Sequence, residues 1–94
     1  MYVSEVEILS DETNSAVMRH PGRRFPGSLI QGDALFALCQ LADKACAATR
    51  AAGAQDAFEP ANELRNALWD RLNDYKAVLV EHGMQAPFSE VHTP

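Results

Sequence analysis

The stretch His20-Pro21-Gly22-Arg23-Arg24-Phe25-Pro26-Gly27, continuing as Ser28-Leu29-Ile30-Gln31-Gly32-Asp33, decides how the chain is read. It holds two Pro-Gly pairs, the only adjacent arginines in the sequence, and a phenylalanine between arginine and proline. Pro-Gly marks tight turns, because proline presets φ and glycine accepts a positive one. Asp33 then suits a helix start, its carboxylate able to accept the free amides of a first turn. Residues before this loop alternate like strand, and residues after it repeat like helix.

Working back, Val6 and Ile8 fall on one face of an extended segment, with Glu5 and Glu7 on the other. That period of two predicts a half-buried strand over about residues 3–9. Asp11-Glu12-Thr13-Asn14 supplies a turn. A second strand is expected over about residues 15–20, and its hairpin partner is the first. Pro21 lacks an amide hydrogen and ends it. A brief third strand is expected at about residues 28–31.

Working forward, the first helix is expected over about residues 33–52. Leu35, Leu38, Leu41, Ala42, Ala45 and Cys46 read as one apolar stripe, opposite a face of small alanines. Gly53 is placed to end this helix. The second is expected over about residues 60–82; it starts either with Asp56 as cap and Glu59 completing a capping box or, the favoured reading, with Glu59 as cap and Pro60 in the first position, where a missing amide costs nothing. Leu64, Leu68, Leu72, Tyr75 and Leu79 form its stripe, widened by Trp69 and Val78, and Gly83 ends it. Residues 91–94 are expected to fray. The predicted architecture is α+β: a small antiparallel sheet followed by an antiparallel two-helix hairpin, in one domain spanning residues 1–94. Such a sheet is marginal alone, so the helix stripes are expected to support it.

Composition narrows the function. The 94 residues are 47% hydrophobic and 22% charged, as in ordinary globular domains. A net charge of −5 argues against nucleic-acid binding, which needs a basic surface to displace counterions. It fits binding to a cationic protein surface. No apolar run approaches the ~20 residues of a membrane span, and the N-terminal residues lack the basic and apolar regions of a signal peptide. Cys39 and Cys46 lie about two helical turns apart, roughly 10 Å, too far to bridge while the helix holds. They read as small buried hydrophobes in a reducing, cytoplasmic setting.

No catalytic constellation emerges, and a non-enzymatic protein is the expectation. His20, His82 and His92 are scattered and stand at no metal-ligand spacing with either cysteine. Ser28 lacks the flanking glycines of a nucleophile elbow. Asp70 and Asp74, four apart beside Arg71 and Lys76, read as a solvated face. The glycines at 22, 27 and 32 have no phosphate-loop form. No metal and no cofactor is expected.

The candidate binding residues are therefore Arg23, Arg24, Phe25, His20, Glu5 and Glu7. Two guanidiniums on a proline-braced loop can present bidentate donors to a carboxylate or phosphate. The competing expectation has them paired internally with Glu5, Glu7 or Asp11. Phe25 is expected to turn inward and pin the loop. A homodimer through the alanine face of the first helix is also compatible with the pattern.

The run from Asn14 through Pro21-Gly22-Arg23-Arg24-Phe25-Pro26-Gly27 to Ile30-Gln31-Gly32-Asp33 resembles a family of small uncharacterised bacterial proteins. The resemblance extends over residues 5–88 and implies a bacterial source, with no activity to carry over. In size and acidity the chain is also similar to bacterial toxin immunity proteins, a likeness of type without a shared motif. The expected role is a small acidic binding module, an immunity-type or accessory partner of another bacterial protein. The alternative is a small anionic-ligand or regulatory domain, with the arginine loop and the amides near Gly32-Asp33 as the site.

Overall fold

Three short strands open the chain: β1 (Glu7–Ser10), β2 (Ser15–Arg19) and β3 (Gly27–Ile30). They form an antiparallel meander with β2 in the centre. Two helices come next, α1 (Gly32–Ala51) and α2 (Gln55–Glu81), and the α+β arrangement read from the sequence is the one found. The computed structural model describes residues 1–12 and 15–89. The expected turn at Asp11–Asn14 thus lies partly outside the described residues, and the expected fraying at 91–94 wholly so. The chain gathers into two compact units, one through Gln31 and one from Gly32 onward.

Within the first unit, alternation sets the faces. Ile8 stands opposite Met18 and Ala16 opposite Leu29, while Glu7 stands opposite Arg19. β1 begins at Glu7 rather than near Val3, and a bulge between Ile8 and Ser10 shifts its register, so that Ser10 meets Val17. A bulge bends the strand and breaks its strict period of two. The β2–β3 connection closes on the Arg23 amide, which donates to the His20 carbonyl at 3.0 Å. Gly22 has φ +79°. Proline second and a positive-φ glycine third define a type II turn.

In the second unit, α1 and α2 run antiparallel, since Asp43 reaches Arg65 and Trp69 while Gly32, at the start of α1, meets Tyr75 in the second half of α2. Among the described residues the buried hydrophobics are Leu35, Cys39, Ala42, Cys46 and Leu72. The first four stand at three-and-four spacing, a seam of small side chains that lets the helices approach closely. The single stripe expected on α1 divides: Leu38 and Leu41 are 41% and 60% exposed. They belong to a neighbouring row, about 100° around the helix from the seam.

Both helices end on glycine. Gly53 has φ +66°; its amide donates to the Arg50 carbonyl and the Ala54 amide to the Thr49 carbonyl. Gly83 repeats the arrangement with Val80, and Met84 with Leu79. These are Schellman closures, which satisfy carbonyls that the helix end leaves without partners. The start of α2 differs from expectation. It begins at Gln55, and Pro60 lies inside the helix. Amides of Ala57 and Phe58 already bond the Ala54 carbonyl, Gln55 donates to Glu59 at 3.2 Å, and Arg50 covers the Phe58 ring at 4.7 Å. These contacts offset the single bond that Pro60 cannot make.

Gly32 is fixed by packing. A Cβ built there would come within 2.4 Å of the Tyr75 ring. Gly32→Ala should destabilise the protein by about 1–3 kcal/mol through overpacking. In a Tyr75→Leu background the same change should cost less. Urea denaturation of the four proteins measures both.

Candidate functional site

The type II turn does more than reverse the chain. It folds the segment after β2 back toward the residues leading into β1, and together they wall an open cavity of about 500 Å³. Its polar lining is Glu5, Glu7, Arg19, His20, Arg23 and Arg24. Five of the six candidate residues thus share one cavity within the sheet unit. Phe25 does not line it; the ring is 73% exposed, with the Arg24 guanidinium 5.4 Å from its centroid. The expectation that Phe25 turns inward is corrected. The turn is held by its own backbone bond and by Pro21, so it needs no aromatic anchor.

Arg19, which sequence reasoning did not single out, organises the site. Directly across the hairpin from Glu7, it donates to both carboxylate oxygens, at 2.7 Å from Nη2 and 3.3 Å from Nε. This fork matches a carboxylate in two places and fixes its orientation. The hydrogen bond from Arg19, and then its charge, holds the Glu7 carboxyl below its usual range. A regular hairpin with a four-residue connection would set Glu7 opposite Met18, so this pair follows from the observed register, with its shift between Ile8 and Ser10, and was not legible in the sequence.

This pairing answers the question of internal partners. Glu7 is taken by Arg19, and among the described residues neither Arg23 nor Arg24 makes an ion pair. With Glu7 and Arg19 neutralising each other, the lining is locally cationic in a chain of net charge −5. His20 donates from Nδ1 to the Pro21 carbonyl at 3.0 Å, which leaves Nε2 as an acceptor. Among the described residues no serine, threonine or cysteine lines the cavity, so a histidine base has no side-chain nucleophile beside it. The chemistry on offer is recognition of anions, by two guanidiniums that make no ion pair among the described residues.

Other candidate features are placed elsewhere. Cys39 and Cys46 are buried and unbridged. Among the described residues no group of three or more His, Cys, Asp or Glu side chains gathers to hold a metal, and no helix is long and apolar enough to cross a membrane. At the start of α1, the Asp33 carboxylate accepts the Ala34 amide at 2.9 Å, so an acid already occupies the positive end of that helix.

With that geometry in place, comparison by sequence gives the class. Residues 1–88 match the model of a family of unknown function, DUF6959. The chain belongs to that family. No curated protein and no solved structure matches it.

The Glu7–Arg19 pair has a pH signature. Because the folded carboxyl titrates below its unfolded value, the pair contributes stability above the ordinary glutamate range and loses it as pH falls through the lowered value. An NMR titration of the Glu7 side-chain carboxyl should show a midpoint below the ordinary glutamate range. Arg19→Gln should return it to the ordinary range.

Proposed function

We propose that this protein is a non-enzymatic binding module whose arginine loop grips an acidic segment of another protein. One observation carries the reading. Among the described residues Arg23 and Arg24 make no ion pair, and they stand beside an exposed Phe25 on a turn closed by its own hydrogen bond. A surface already ordered before contact loses little conformational entropy on binding. Arginine and aromatic side chains are also the types that dominate interface energetics. In this reading Arg23 and Arg24 take carboxylates of the partner, and Phe25 fills an apolar pocket between them. Glu7 keeps Arg19 out of that contact and aligns the cavity wall, while Glu5 and His20 border it.

The opposite polarity, in which the acidic side of β1 meets a basic partner, is weaker because Glu7 is committed to Arg19. An immunity-type or accessory partner of another bacterial protein is the form of module we favour, on the strength of size and acidity. A second reading has a specific observation behind it. The cavity of about 500 Å³ is large enough for a small anion, held by Arg23 and Arg24. Asp33 speaks against extending that anion site to the start of α1.

Affinity purification from the native source with mass spectrometry tests the module directly. Wild type should capture one stoichiometric partner, lost with Arg23→Glu/Arg24→Glu and weakened about tenfold or more by Phe25→Ala. A partner retained by the charge-reversed protein would overturn the assignment to the loop. Thermal stabilisation of wild type, but not the double variant, by phosphorylated or carboxylated metabolites would replace it with the anion reading.

A further inference from the structure

Past the end of α2 the chain is fastened to the helical hairpin at one point. The Met84 amide donates to the Leu79 carbonyl at 2.9 Å and completes the helix closure. Beyond it, Gln85, Ala86, Pro87 and Ser89 are exposed, and among the described residues they make no hydrogen bond or ion pair. Phe88 differs. It is half-buried, its ring stacked on Phe36 with 4.5 Å between centroids and 7° between planes. A single aromatic side chain thus holds segment 85–89 in place.

The floor under Phe88 is held by other means. Phe36 meets Trp69 edge-on at 6.5 Å, which sets a ring of α1 beside one of α2. The Trp69 indole donates to Asp43 at 3.0 Å, and the Arg65 guanidinium binds the same carboxylate at 2.6 Å. The Lys76 amino group lies 5.9 Å from the indole centroid. None of these contacts involves the tail. Removing Phe88 therefore bares a formed aromatic surface and leaves its supports in place. A surface ordered before contact loses little entropy when a ligand arrives.

We infer that this surface is a binding site for an extended segment bearing a phenylalanine, and that residues 85–89 are a releasable strap occupying it in cis. The chemistry of the ligand is read from the one seated there: a planar apolar ring on Phe36, carried by a chain that needs no hydrogen bond along its path. Pro87 fixes its own φ and keeps Ala86 extended, so little chain freedom opposes closure. A stacked aromatic pair favours contact about twofold to tenfold beyond the burial of the ring. Closure through one ring is therefore modest and reversible, and a phenylalanine from a partner can displace it. The site lies wholly in the helical unit, so the inference stands whether or not the arginine loop binds a partner.

Ring-current shifts in the NMR spectrum of the full chain are the test. Phe88→Ala should move the Phe36 ring protons downfield, because the ring stacked on them is lost, with the helical circular dichroism and the Trp69 indole N–H signal unchanged. A blocked peptide of residues 85–89, added to Phe88→Ala, should restore the upfield position with a Kd of about 0.1–1 mM. That is the affinity expected when a modest cis equilibrium is referred to a millimolar effective concentration. Wild type should need about tenfold more peptide, because its own strap competes. The same peptide carrying Phe88→Ala should shift neither protein. Unfolding of the hairpin by Phe88→Ala would show Phe88 to be core and overturn the strap, as would equal peptide affinities for the two proteins. A folded variant that the peptide leaves unshifted would overturn the site.

Discussion

A single carboxylate sets the geometry of the helical unit. Asp43 accepts from the Arg65 guanidinium and the Trp69 indole at once, so one residue of α1 holds two successive turns of α2. The seam between the helices cannot supply that registration. Cys39, Ala42 and Cys46 are small and alike, and a smooth seam tolerates sliding. Directional bonds to Asp43, and the fit of Tyr75 against Gly32, fix where one helix stands along the other. Trp69 then presents its ring edge to Phe36, and Phe36 stacks on Phe88. The order of one side of the hairpin stems from that one acid, and the same rotation leaves Leu38 and Leu41 exposed.

The sheet unit solves a different problem with similar means. Its strands are too short for a core of their own, and Ile8, Leu9 and Leu29 are more than half exposed. Its ordered feature is the turn: Pro21 and Gly22 shape it, the His20–Arg23 bond closes it, and Glu7 with Arg19 braces the strands below. Satisfying Glu7 locally is what leaves Arg23 and Arg24 without that acid. The sequence holds 13 acids and 8 basic residues, so counting alone would pair every arginine. Position across the hairpin, and not the overall balance, decides which arginine is paired.

Much of this was legible in the residues. Pro-Gly pairs located the turn, alternation located the strands, and Gly53 and Gly83 marked helix ends because only a residue tolerant of positive φ closes those caps. What escaped depended on packing in three dimensions. Pro60 looked like a first-turn residue, yet Gln55, Phe58 and their contacts draw the helix back past it. Leu38 and Leu41 looked like core, because a stripe drawn on one helix cannot tell which edge its neighbour will cover. Trp69 was legible as a seam residue, but its bond to Asp43 was not, since the partners lie 26 positions apart. At the candidate site the loop residues were readable, whereas Arg19 needed the strand register.

Asp43 as a shared acceptor is the central claim, and a double-mutant cycle between Asp43→Ala and Trp69→Phe measures it directly. Chemical denaturation of wild type, both single variants and the double variant isolates the coupling. The expected result is a coupling of about 1 kcal/mol, reduced from a buried charged bond because the acid is partly exposed. Additive losses, within about 0.3 kcal/mol, would contradict the claim and return the registration of the helices to the seam alone.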